Sequence, residues 1–373
     1  MTHPSSTRRG FLAGGGAAAA LAAAGGETDA ADAVRSLFAT NRGPLADGDA
    51  VVVADGVATT LDPAGEGLQR AVDVAGDAGG GLVLLPPTTV DVRGPILLRS
   101  GVSIQGVRGA STLEVTTPRT DGLVFDPAVS DGGPPGFVAD VSLDGFALVG
   151  PGSGVPTGAA VVDGGATRCR VGSLTVSGWR NAAWRERAGA NSFDVSVDFL
   201  RVHDVDAGDA DGVLELVGGG APVRFDQVVV VPTDESTGRR STVVRQRGGT
   251  RTFGSLNVGG TPGAILTGLP QGFTADVINW EPSAPAASPP HALFDLSIAR
   301  PLTVGQLHVW KPVGYVYDCY RGGPTRLPVP YFRGEGRAER AVVRVQEPGS
   351  HPVLYDGRAA EVVGDDDAVR AVY

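Results

Sequence analysis

Val171-Gly172-Ser173-Leu174-Thr175-Val176, Val197-Asp198-Phe199-Leu200-Arg201-Val202, Phe225-Asp226-Gln227-Val228-Val229-Val230 and Phe253-Gly254-Ser255-Leu256-Asn257-Val258 are four copies of one phrase. Each reads apolar, two residues of any kind, apolar, one of any kind, apolar. The phrase recurs at Leu143/Phe146/Leu148, Ala275/Ile278/Trp280 and Val304/Leu307/Val309, with first positions 28, 26, 28, 28, 22 and 29 residues apart along the series. A further apolar strand follows each phrase, centred in turn on Val161, Trp184, Leu214, Val244, Leu266, Phe294, Tyr317 and Leu354. A unit of about 27 residues with two or three short strands and no helix cannot bury its apolar face alone, whereas stacked units share one continuous core.

The fold this predicts is all-β, a single-stranded right-handed parallel β-helix. With 56 Gly and 27 Pro in 373 residues the chain cannot be a helical bundle. A leucine-rich repeat needs an Asn/Cys framework, and the chain has five Asn. The same five, being scattered, predict no asparagine ladder. A propeller blade needs four strands over about 40 residues. A β-sandwich is the competing arrangement. From Gly80 onward the period predicts about ten or eleven coils, each rising about 4.8 Å. Asp62-Pro63 reads as N-cap and first turn of a helix over 62–78, through Leu68, Gln69, Ala71, Val72 and Ala75 to the stop at Gly79-Gly80-Gly81. Such a helix would cover the open end of the stack.

Ahead of it, Thr7-Arg8-Arg9-Gly10-Phe11-Leu12 and the small apolar run Ala13–Ala24 resemble a Tat signal, which exports folded proteins. The organisation expected is a signal peptide over 1–24, a lead-in over 25–60 with a short helix at Ala30–Ala39, and one β-helix domain over 61–373. Ser283–Pro290 is read as a long turn. The protein is expected to be secreted or cell-surface, with no membrane insertion once the signal is removed. The net charge of −10, with Lys311 the one lysine, argues against a nucleic-acid partner.

Asp62-Pro63-x-x-x-x-Leu68-Gln69-x-Ala71-Val72, Gly79-Gly80-Gly81-Leu82-Val83-Leu84-Leu85-Pro86-Pro87, Gly94-Pro95-Ile96-Leu97-Leu98 and Ser100-Gly101-Val102-Ser103-Ile104-Gln105-Gly106 together resemble the opening of the pectate-lyase-like superfamily of right-handed β-helices. The match covers about 45 residues closely and the rest through the coil period. It implies the β-helix fold. For activity it implies a range from lyases and hydrolases to tailspike enzymes and proteins without catalysis, and for assembly it allows a trimer. The Asn-Thr-Asp, Gly-His-Gly and Arg-Ile-Lys elements of polygalacturonase-type hydrolases are absent, as is the Arg-x-Pro-x-x-Arg element of pectate lyases.

Candidate chemistry follows from strand alternation. If Val161, Trp184, Leu214 and their successors point inward, the residues after them point outward: Val162, Arg185, Glu215, Arg245, Thr267, Asp295 and Asp318. Glu215, Arg185, Arg245, Asp295 and Asp318 are therefore the candidate catalytic residues, and Arg187, Arg247 and Tyr320, two places further on, the candidate substrate-binding ones. An Arg–Glu–Arg row beside aspartates suits an acidic sugar. The competing reading is a ladder of compensating surface charges. His203-Asp204-x-Asp206-x-x-Asp209-x-Asp211 gathers oxygen ligands in one turn. No cofactor is required by the sequence, and Ca²⁺ is the ion such a turn could hold, through Asp204, Asp206, Asp209 and Asp211. Asp365-Asp366-Asp367 reads as a solvated tail. Trp179, Trp184, Trp280 and Trp310 are read as core.

Two functions follow. One is a carbohydrate-active protein, a polysaccharide lyase or glycoside hydrolase on an extracellular, uronic-acid-type polysaccharide. The other is a non-catalytic surface β-helix, a rigid scaffold or glycan-binding rod. Cys169 and Cys319 fall too many coils apart for a disulfide. Cys169 is expected in a turn and the more reactive, Cys319 in the core.

Overall fold

A computed structural model describes residues 50–372, apart from 55–56, 63, 65–66, 130–132, 208–211, 221, 233–239, 283–288, 299–301, 322–325, 328–329, 348–352, 357–361 and 364–368. The proposed signal, the helix at Ala30–Ala39, Asp209, Asp211 and the acidic run 365–367 lie outside the described residues, as do the side chains beyond 350.

The chain is a parallel β-solenoid, and the repeated phrase is its first two strands. One interior column runs Val83, Ile104, Leu143, Val171, Val197, Phe225, Phe253, Ala275, Val304. The last residue of each phrase makes a second column, from Leu148 through Val176, Val202, Val230 and Val258 to Trp280 and Val309. The strand after the phrase makes the third: Ile96, Leu123, Val161, Trp184, Leu214, Val244, Leu266, Phe294, Tyr317, Val343. All these residues are buried. Aromatic rings stack up the axis, with Phe225 and Phe253 centroids 5.1 Å apart and Phe294 and Tyr317 5.0 Å apart.

From Val83 to Val304 the first column makes about eight turns, and the third column continues past it, through Val343 to Val362, in keeping with the period. Coil length is uneven: the step from Ile104 to Leu143 consumes an extra short strand, Val138–Ala139, and its turns. Leu354 is not the rung after Tyr317. Val343 takes that place, one period on, while Leu354 pairs with Arg326 and Arg370 in a separate three-stranded sheet. Asn257 and Asn279 stack in register, Nδ2 of Asn279 donating to Oδ1 of Asn257 at 2.7 Å, so a two-residue amide ladder exists where none was expected.

The capping helix spans Gly67–Asp77 and begins later than predicted. Asp62 Oδ1 instead accepts from the Ala64 amide at 2.9 Å, closing a turn ahead of it. Leu68, Ala71, Val72 and Ala75 are buried on one helical face over the first coil. Gln69 serves the strand edge: its Oε1 accepts from the Leu97 amide at 2.7 Å and its Nε2 donates to the Leu97 carbonyl at 3.2 Å. The Leu97 N–H and C=O, which would otherwise invite edge pairing, are thereby satisfied by one side chain. Gly80 ends this connection at φ 131°, where a Cβ would meet the Gly101 carbonyl at 2.8 Å. Strand Ala50–Ala54 pairs antiparallel with both Val57–Leu61 and Gly81–Leu84, so the end of the lead-in also joins the sheet.

Both cysteines are free and buried. Cys169 lies inside strand Ala166–Trp179, in register with Val195, rather than in a turn. Burial pushes each thiol up to about 12, so Cys169 has no advantage in reactivity. Trp179, Trp184 and Trp280 are wholly buried and Trp310 is half-buried.

Candidate functional site

The outward column is realised in register as Leu97, Val124, Val162, Arg185, Glu215, Arg245, Thr267, Asp295, Asp318 and, one coil further, Arg344. Its character changes along the axis. Val124 and Val162 point away from the main core yet are buried, packed with Ala159 and Ala182 from flanking turns and with Leu97. Charge begins at Arg185.

Glu215 takes both neighbouring guanidinium groups. Arg185 Nε donates to Oε2 at 2.6 Å and Arg245 Nη1 to Oε1 at 3.1 Å. Arg185 also donates to Asn181 Oδ1. The Glu215 and Arg245 side chains are only 13% exposed, and burial, then the Arg247 charge, pulls the Arg245 guanidinium down. The expected Arg–Glu–Arg row therefore exists, with exposed Arg247 beside it. The other expected binding residues are engaged elsewhere. Arg187 Nη1 donates to Asp126 Oδ2 at 3.0 Å, and the Tyr320 hydroxyl donates to Glu347 Oε1 at 2.8 Å.

Two coils on, the column gathers a denser set. Asp318 Oδ1 accepts from Arg344 Nε at 2.8 Å and from Gln346 Nε2 at 3.1 Å. Its Oδ2 bonds Arg344 Nη2 and lies 2.6 Å from His291 Nε2. The Asp318 side chain is 2% exposed. Burial alone would push its carboxyl up, but the bonds from Arg344, Gln346 and His291 outweigh it and hold the carboxyl below its usual range. Asp295, the register neighbour of Asp318, moves the other way, pushed up by burial and then by the Asp318 charge. The Tyr315 ring supports the group from beneath, with Arg344 Cζ 4.6 Å from its centroid and the His291 ring edge-on at 5.4 Å.

A cleft of about 380 Å³ opens beside this set, lined by Arg240, Thr242, Thr267, Pro290, His291 and Asp295 among others. A titratable ring, a carboxyl of raised pKa and a guanidinium thus meet in one concavity, which is the composition expected of a site for acid–base work on an anionic ligand. Sequence reasoning placed Asp295 and Asp318 here and missed His291, Arg240, Arg344 and Gln346. Arg344 was findable, since it lies one coil period beyond Asp318. His291 and Arg240 come from turns, where the period carries no signal.

In the acidic turn, Asp204 Oδ1 accepts from Ser153 Oγ at 2.8 Å and Asp206 is buried. Among the described residues no group of three or more His, Cys, Asp or Glu is placed to hold a metal ion.

No protein-family model matches the chain, and no curated protein matches it. Among solved structures it is similar to a mutant tailspike protein of E. coli bacteriophage HK620 in complex with a pentasaccharide, at 14% identity and a TM-score of 0.46. The alignment covers 82% of this chain and 60% of the tailspike chain. The likeness is one of backbone.

Proposed function

We propose that this is an exported, carbohydrate-active β-helix protein that acts on an acidic, uronic-acid-type polysaccharide in the cleft at His291 and Asp295. The observation that carries the reading is the meeting of His291 and Asp295 at the wall of that cleft, with Asp295 raised by burial and by the charge of its register neighbour Asp318. A carboxyl raised in this way, beside a second titratable group, can serve as the acid of an acid–base pair. Exposed Arg247, up the column, sets a guanidinium on a chain that is net acidic, and so favours an anionic ligand. Hydrolysis by two carboxyls requires both to reach the glycosidic bond. Asp318 is enclosed by four bonds, which leaves Asp295 as the carboxyl on the cleft and favours elimination. The motif resemblance at 62–106 supports a place near the pectate-lyase-like proteins, and segment 1–24 supplies the Tat-type export in this reading.

The test is a screen of the purified chain against uronate polymers, followed by ultraviolet absorbance for unsaturated products and by reducing-end release. Absorbance gain is the expected result. Reducing ends without it would assign a hydrolase. Binding without either would leave the rigid glycan-binding rod as the function.

A further inference from the structure

His291 is tied to the column through one ring nitrogen. Its Nε2 lies 2.6 Å from Asp318 Oδ2, and the same nitrogen is 3.4 Å from Arg344 Nη2, a group that can only donate. A lone pair on Nε2 would face a carboxylate oxygen at that short distance, so Nε2 must carry the hydrogen and donate it. Asp318 cannot turn away, because Arg344 grips both its oxygens and Gln346 holds Oδ1. The ring cannot tilt freely either, since Tyr315 packs against it and is itself held by Arg344. His291 is nevertheless 47% exposed in its side chain and lines the cleft near Asp295, with Arg240 also in the lining. With Nε2–H committed, Nδ1 is the nitrogen left to present a lone pair.

We infer that His291 is the proton acceptor of this cleft, acting through Nδ1, and that Asp318, Arg344 and Tyr315 are positioning residues that fix its tautomer and orientation. The inference rests on the functional reading above and names the group that does its work. On a uronate chain the C–H bond next to the carboxylate breaks and its proton goes to Nδ1. The electron pair left on carbon becomes the new C=C bond as the adjacent C–O bond breaks, and the departing oxygen takes the proton of the Asp295 carboxyl. His291 ends protonated and Asp295 ionised; one proton returned through solvent resets both, with no oxidant, reductant or further reactant.

The tautomer is measured first, without substrate, by ¹⁵N-resolved NMR of the full chain. Nε2–H with an unprotonated Nδ1 is expected, and Nδ1–H overturns the inference. Asp318→Asn, whose amide can donate to Nε2, is expected to shift the ring toward Nδ1–H. Should that variant not fold, the wild-type tautomer still decides the positioning claim. On a uronate substrate His291→Ala is expected to lose roughly 10²–10⁴-fold in kcat with KM little changed, and added imidazole to restore part of it. Retained turnover in His291→Ala overturns this assignment alone and leaves the function standing. Absence of turnover in the wild type overturns both.

Discussion

The solenoid contains two clusters built from the same parts. Inside, Asp163 and Glu186 are register neighbours on adjacent coils and share Arg251. Outside, Asp295 and Asp318 are register neighbours and share Arg344. The inner guanidinium is fully enclosed, donating from Nε to Glu186 Oε1 at 2.9 Å and from Nη2 to Oε2 at 2.6 Å, and its remaining hydrogens reach the carbonyls of Gly218, Gly219, Gly220 and Thr250. Burial pushes both inner carboxyls up, more than Arg251 pulls them down. The outer set is divided, one carboxyl raised and one lowered, because its donors converge on Asp318 alone. Two register-neighbour carboxyls and an arginine make a corner brace where no solvent reaches them; where a cleft opens, the arginine fixes one carboxyl and the other is left to the cleft. Access and the sharing of donors, rather than residue identity, separate structure from chemistry here.

The inner cluster is where this comparison breaks hardest. Arg251→Ala leaves two buried carboxyls without their cation and is expected to cost about 3–5 kcal/mol, read as a lowered urea midpoint. Arg344→Ala should cost less, about 1–3 kcal/mol, because His291 and Gln346 still serve Asp318. A smaller loss for Arg251→Ala than for Arg344→Ala would reverse the assignment of brace and site.

The two clusters should also answer pH with opposite sign. Asp163 and Glu186 have raised pKa values in the folded state, so the protons they hold favour folding in acid. Their contribution is lost as pH rises from about 4 through those folded values. Asp318 is lowered, so its contribution is present above about 4 and lost as pH falls through its folded value. Asp163→Asn should therefore gain on the wild type in melting temperature as pH rises, while the deficit of Asp318→Asn should shrink in acid. Parallel trends in the two variants would show that burial dominates both sites.

Smaller effects sharpen the boundary between site and surface. Glu215→Ala removes the carboxylate that Arg185 and Arg245 share, and a change in affinity for an acidic polysaccharide of up to about tenfold is expected with a stability loss of about 1–3 kcal/mol. EDTA should leave the melting temperature within about 1 °C, since Asp204 is already bonded to Ser153 and Asp206 is buried.

Much of the fold is legible in the sequence because every coil repeats the same demand for apolar side chains at set spacings. Leu143, Val171, Val197, Phe225 and Phe253 could be aligned by eye, and the outward row from Arg185 to Asp318 follows from alternation alone. Arg251 stands on a column with Cys169, Val195 and Val223 that the sequence reading did not find, having placed Cys169 in a turn, and its partner Glu186 lies 65 residues away and carries no matching signal.

The sequence by itself determined the period, the interior columns and which residues share the outer row, since these depend on local alternation and on burying apolar surface. Tertiary structure decided that Val162 is covered while Asp295 is open, that Asp318 is gripped by Arg344 of the next coil, and that His291 and Arg240, from separate turns, line one cleft. Turns carry no periodic constraint, so where their side chains converge is set by the stacking of whole coils, which no local window of sequence contains.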